Sequence, residues 1–241
     1  LSQAAQHYPV VLDTFAEASS ALGYDLWALV SEGPEDKLTL TEFTQPAILT
    51  ASVALSRCWR EEGGAIPEFV AGHSLGEYSA LVVAESLSLQ DAARLVQTRG
   101  RAMQSAVPAG EGAMAAVLGL SDTVIDEICV THCDDHAYVG AVNYNSPGQV
   151  VIAGHAPAVE AASAFMKEAG AKRVLPLPVS APFHTPLMQP AAAVMAEAFQ
   201  SVALEDAQMP VISNVDAQPH RKAVEIRRLL VRQGSETVMW T

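Results

Sequence analysis

The segment IPEFVAGHSLGEYSALVVAE, Ile66 to Glu85, constrains the fold more than any other stretch of this 241-residue chain. A short apolar run, suited to a buried strand, meets an amphipathic helical pattern across only five residues, Gly72-His73-Ser74-Leu75-Gly76. A strand that turns at once into a helix needs little side-chain bulk at the turn, and it sets the middle residue at the strand's C-terminal end. Two readings fit. Ser74 is a nucleophile on a strained G-x-S-x-G elbow, with the flanking glycines relieving crowding and the Leu75 N–H aimed at an oxyanion, or the glycines merely close a turn. The five residues alone leave both open.

The rest of the chain reads as α/β. Leu1 to Leu29 and Thr41 to Trp59 show helical spacing, broken at SEGPED. After the elbow, SLSLQDAARLVQTRGRAMQ reads as a helix opened by Ser88, with Asp91 three residues on. From Gly112 the elements shorten to strand, helix, two strands around an SPG turn, helix and strand, the split pattern of a ferredoxin-like unit. A helix at PLMQPAAAVMAEAFQ, a strand at MPVISNV and a helix at AVEIRRLLVRQ follow. The expected architecture is an α/β-hydrolase-like large subdomain, residues 1–111 and 180–241, with an inserted ferredoxin-like small subdomain at 112–179. Only two strands are legible outside the insertion, the chain has no initiating Met, and it stops on VMWT, so it is expected to be incomplete at both ends.

Charge narrows the function. Fourteen basic against 27 acidic side chains give a net charge of -13, which repels a phosphate backbone and argues against nucleic acid. No apolar stretch is long enough to span a bilayer and the N-terminal residues lack a signal-peptide pattern, so no membrane partner and a cytoplasmic location are expected. Three scattered cysteines do not make a disulfide framework. In CVTHCDDH, Cys129, His132, Cys133 and His136 have spacings that could hold a metal, but Cys129 reads as a core thiol with the histidines at a solvated helix end; no metal is expected.

A serine hydroxyl needs a base and oxyanion donors to act as a nucleophile. His73 adjoins Ser74 and would point away from it, bracing the elbow, while His7, His132, His136, His155 and His220 fall at helix ends or in loops. His184 lies in SAPFHTP after the strand KRVLPLPV, with Pro182 and Pro186 restricting the backbone on both sides, which suits a base or a structural histidine. Arg99, in VQTRGRAM, could offer its planar fork to a carboxylate or compensate a helix dipole; for Arg101 the dipole reading is preferred.

GHSLGEYSALV, QTRGRAMQ, YNSPGQVVIAG, VSAPFHTPLM and SNVDA, in this order, resemble the malonyl-CoA:acyl carrier protein transacylases of fatty acid synthesis and the related acyltransferase domains of polyketide synthases. The resemblance spans nearly the whole chain and resolves the elbow in favour of the nucleophile. It implies a Ser74–His184 dyad in which the backbone carbonyl of Gln233 orients the imidazole, Arg99 grips the malonyl carboxylate, Leu75 gives one oxyanion donor, and Gln45, His73 and Asn145 lie near the pocket. Leu75 and Phe183 resemble malonyl-preferring members. The implied partners are malonyl-CoA, a coenzyme A thioester used as substrate, and acyl carrier protein, with no bound cofactor and a monomeric enzyme. Family members begin with a strand and a Gly-Gln-Gly-type loop that supplies a second oxyanion donor, and nothing like it precedes Leu1; QGSETVMWT also departs from the family pattern. Two other expectations share these residues: a serine hydrolase or thioesterase with the same elbow, and a silent carrier-docking fragment using Arg221, Lys222, Arg227, Arg228 and Arg232, which read more simply as a solvated helix with Glu225 pairing locally.

Overall fold

A computed structural model describes residues 1–134, 136–179 and 181–241. In chain order its elements are α1 (Ser2–His7), α2 (Pro9–Leu22), α3 (Leu26–Glu32), α4 (Glu35–Leu38), α5 (Thr41–Glu61), β1 (Val70–Ala71), α6 (Gly76–Val83), α7 (Leu89–Ser105), β2 (Gly112–Leu118) and α8 (Asp122–Thr131). There follow β3 (Val139–Ser146), β4 (Gln149–His155), α9 (Ala156–Glu168), β5 (Arg173–Pro176), α10 (Gln189–Ala198), β6 (Val211–Ile212), β7 (Pro219–His220), α11 (Ala223–Gln233) and β8 (Val238–Met239). Two compact units result: Leu1–Arg101 with Val194–Ser213 and Gln218–Arg228, and Ala102–Ala193 with Asn214–Ala217 and Leu229–Thr241. No helix among the described residues is long and apolar enough to cross a membrane.

The first unit is helical around a small sheet in the order β1-β6-β7, with β1 parallel to β6 and β7 antiparallel to it. The apolar runs at IPEFVAG and MPVISNV yield strands of only two residues each. The N-terminal helical pattern is three helices rather than one. Pro9 opens α2 at its first turn, where its missing N–H costs nothing, and Gly23 ends it at φ 78°. Asp25 then caps α3 by accepting from the Ala28 N–H at 2.9 Å. SEGPED, expected as a plain break, supplies the first turn of α4. At α7 the expected cap is present, with Asp91 N–H donating to Ser88 Oγ at 3.0 Å and that hydroxyl donating to Asp91 Oδ2 at 2.8 Å.

The second unit carries a sheet in the order β5-β2-β4-β3-β8, antiparallel throughout except that β8 runs parallel to β3. β3 and β4 form the hairpin read from the sequence, turning through Gly148 at φ 74°. Val117, Ile125, Val139, Val150, Ile152, Val159, Ala162 and Met166 make its main core between the sheet and helices α8 and α9. Cys129 belongs to that core, and burial pushes its thiol up to about 12. His132 sits at the end of α8 with its ring 4.5 Å from that of Phe165. Asp135 of CVTHCDDH and Ser180 of VSAPFHTP lie outside the described residues; among those described, no group of three or more His, Cys, Asp or Glu is placed to hold a metal.

Candidate active site

The serine turn is built by a close approach of backbone to backbone. A Cβ on Gly72 would lie 2.0 Å from the carbonyl atoms of Gly76 and 2.6 Å from the Glu77 nitrogen, so only glycine lets the chain double back there. A Cβ on Gly76 would meet nothing within 4 Å. The two glycines are therefore not equivalent: the expectation that both relieve crowding holds for Gly72 alone. Ser74 sits at φ 52°, in the left-handed region that non-glycine residues rarely occupy outside functional turns. The Gly76 and Glu77 N–H groups donate to the His73 and Ser74 carbonyls at 2.8 and 3.2 Å as α6 begins, and Leu75 stands at its N-cap.

Arg99 is carried by α7 and is 3% exposed. Its Nη1 donates to Gln45 Oε1 at 2.9 Å and its Nη2 to Ser74 Oγ at 3.1 Å, both charge-assisted bonds. Gly100, the next residue, makes this possible: a Cβ there would be 2.6 Å from the Thr41 carbonyl oxygen and 2.7 Å from Glu42 Cα, so α7 closes on the first turn of α5, the helix that carries Gln45. Burial lowers the Arg99 pKa from its ordinary value, while Tyr78 and the buried Glu77 oppose the shift. A guanidinium touching the serine oxygen favours negative charge on that oxygen. Arg101 does not compensate the end of a helix, because α7 continues to Ser105; it pairs with Glu42 at 2.6 Å instead.

His184 is 5% exposed and stands at φ 62°. Its Nδ1 lies 2.8 Å from the Gln233 carbonyl oxygen. A carbonyl only accepts, so Nδ1 bears a hydrogen, and in the neutral form of the ring the lone pair is then on Nε2. The loop is held by main-chain bonds: His184 N–H donates to the Gly234 carbonyl at 3.2 Å, and Thr185 Oγ1 donates to the Pro182 carbonyl at 2.6 Å. A cavity of about 260 Å³ opens beside His184, walled by Tyr138, Pro186, Ser235, Glu236 and Thr237 among others.

Of the residues singled out in the sequence, the first unit brings Ser74, Arg99 and Gln45 together, with His73 half-buried and Leu75 buried on either side of the serine. The second unit brings His184 to the Gln233 carbonyl, packs Phe183 against Met103 and Met188 on one side and Met114 and Val142 on the other, and holds Asn145 half-buried on β3. Two contributors escaped the sequence reading. Gly100 had a signal, a glycine inside a helical pattern beside an arginine. Tyr78 had only its place four residues beyond Ser74.

The basic run near the C-terminus is largely committed to its own fold. Arg221 donates to the Gln208 carbonyl at 2.7 Å, Lys222 pairs with Asp206 at 2.8 Å, Arg227 donates to the Phe199 and Val202 carbonyls, and Arg232 grips Glu236 through two bonds of 2.7 and 2.8 Å. Glu225 does pair locally, but with His220 at 3.5 Å.

Comparison with known proteins gives the family. The acyl transferase domain model matches residues 8–240. The malonyl CoA-acyl carrier protein transacylase of Salmonella typhimurium strain LT2 is 53% identical over 241 residues, all of this chain and 78% of that protein. Its Escherichia coli K12 counterpart is 54% identical with the same coverage. Among solved structures, the transacylase of Coxiella burnetii matches with a TM-score of 0.97 at 48% identity, over 99% of this chain and 75% of that one. A malonyl-transacylase solved with a type II polyketide synthase acyl-carrier protein matches at 0.97 and 52% identity, over 100% and 77%. A relation this close along the whole sequence, around a serine elbow with an arginine on its hydroxyl, establishes that the chain belongs to the malonyl-CoA:acyl carrier protein transacylase family of acyl transferases.

Proposed function

We propose that the protein transfers a malonyl group from coenzyme A to the phosphopantetheine thiol of an acyl carrier protein, through a malonyl ester on Ser74. Ser74 Oγ attacks the thioester carbonyl and gives its proton to a base; the C–S bond breaks and coenzyme A leaves as the thiol, taking that proton. The carrier thiol then attacks the ester and returns the hydrogen to the serine. The steps balance with acyl, sulfur and proton alone. We assign the base to His184, supported by the Nδ1 hydrogen held on the Gln233 carbonyl and the lone pair this leaves at Nε2. The Leu75 N–H, at the start of α6, is our oxyanion donor, with His73, Asn145 and Phe183 assigned to the pocket walls. Residues 112–179 we read as a ferredoxin-like small subdomain inserted in an α/β-hydrolase-like large one, a reading supported by the strand order β5-β2-β4-β3 with α8 and α9 between its strands.

The observation that carries this reading is the Arg99 guanidinium, buried, fixed by Gln45 and 3.1 Å from the nucleophilic oxygen. A carboxylate one carbon removed from the reacting carbonyl is the acyl feature such a charge selects, and a planar fork can take it through two bonds. The experiment is incubation with malonyl-CoA followed by intact-mass and peptide analysis. Wild-type protein gains one malonyl group on Ser74, Ser74→Ala gains none, and unmodified wild type overturns the reading. Arg99→Ala loses roughly 10- to 100-fold more in malonylation than in acetylation, the worth of hydrogen bonds to a charged group, and the loss common to both is that of its bond to Ser74 Oγ. Equal losses on both acyl groups would remove Arg99 from carboxylate recognition.

A further inference from the structure

One neighbour of the Arg99 guanidinium is explained neither by the transfer chemistry nor by the glycine-serine turn. Tyr78, on α6, is fully buried, and Arg99 Cζ lies over its ring, 5.7 Å from the centroid. Behind it the ring of Phe199 lies near-parallel, with centroids 6.3 Å apart and planes inclined by 18°. The Tyr78 hydroxyl is buried with the ring, and the ring turns its π face to the guanidinium.

An aromatic face stabilises a desolvated cation without neutralising it, whereas a carboxylate in the same place would compete with the acyl carboxylate for the same charge. We propose that Tyr78 is a positioning residue for malonyl recognition: its ring, backed by Phe199, holds the Arg99 guanidinium in the orientation set by Gln45 and Ser74 and so governs preference for acyl groups that end in a carboxylate. The inference rests on the reading of Arg99 as the carboxylate clamp. It makes the second residue of GEYSAL after the elbow glycine, Tyr78, part of the specificity apparatus, acting through Arg99.

The test varies ring electronics at constant shape. Phenylalanine at position 78 is the reference, and mono-, di- and trifluorophenylalanine at the same position draw electron density from the π face stepwise. Two reactions are followed: Ser74 acylation by malonyl-CoA, and Ser74 acylation by p-nitrophenyl acetate, which has no carboxylate. The expected result is a graded fall in malonyl kcat/KM to about one-tenth at trifluoro, chiefly through KM, with the acetate reaction within twofold of the reference throughout. A flat malonyl series, or two reactions falling together, overturns the proposal. Tyr78→Leu should lose at least as much malonyl selectivity; if that cavity-forming variant does not fold, the fluorine series decides alone. Wild type and Arg99→Ala run in the same assay separate the levels. If Arg99→Ala keeps malonyl selectivity, the clamp and this proposal fall together; if it loses selectivity and the fluorine series is flat, only the role of Tyr78 falls.

Discussion

The serine turn of the first unit and the histidine loop of the second solve the same local problem differently. Each sets a non-glycine residue at positive φ, Ser74 at 52° and His184 at 62°. The serine turn is shaped by packing under it, Gly72 against the Gly76 backbone, and its polar partners are the side chains of Arg99 and Gln45. The histidine loop is tied by carbonyls of Gln233, Gly234 and Pro182. Surroundings made of side chains can be altered residue by residue; surroundings made of main chain keep their chemistry whatever the side chain. The surroundings of Ser74 are therefore open to adjustment by substitution, whereas the hydrogen bonds around His184 persist through changes of side chain.

The strongest way to break this contrast is His184→Ala, expected to lower kcat/KM for malonyl transfer by about 10²- to 10⁴-fold, the worth of a general base. A loss below tenfold would leave the loop without the role given to it. On the serine side, Gly72→Ala forces a Cβ into the Gly76 backbone and should cost about 3 kcal/mol in denaturant unfolding. An unchanged midpoint would contradict the close approach. Alkali probes the same region: burial, opposed by the Arg99 charge, holds the Tyr78 phenol up at about 12, above its ordinary 10. Its contribution is complete below pH 10 and is lost as pH rises from 10 to about 12, because the unfolded phenol ionises first; the loss is about 3 kcal/mol. Tyr78→Phe should flatten that part of the stability curve, and an identical curve would refute it. Gln233→Ala should leave malonyl transfer within about threefold of wild type even where stability falls, since the acceptor is a backbone carbonyl, and a loss of about tenfold would contradict it. The smallest effect is Gly76→Ala, which stays within about 1 kcal/mol of wild type because its Cβ points into open space and a helix gains from alanine.

Local geometry was legible in the sequence, and proximity between distant segments was legible only in part. The elbow could be read because strand, turn and helix are contiguous, and the β3–β4 hairpin because its two strands flank a short turn. The three-way split of the N-terminal helices was signalled by Pro9 and Gly23, but helical apolar spacing continues across both and hid them. β7 and β8 left no trace: two residues cannot show alternation, and Pro219 argues against a strand. Arg99 and His184 were picked out by residue type and context, and the motif resemblance ranked them. The contact of Gly100 with Thr41, and the distinction between Gly72 and Gly76, depend on what lies opposite each Cα, which no local pattern encodes.

The left-handed backbone at Ser74 also limits what evolution can place there. Threonine carries the same hydroxyl, but its branched Cβ is barred from that conformation, so the obvious one-step neighbour that retains an alcohol is closed. Cysteine, unbranched, meets no such bar. Drift in this lineage toward another nucleophile would run through sulfur, and one torsion angle of the main chain would have chosen that route.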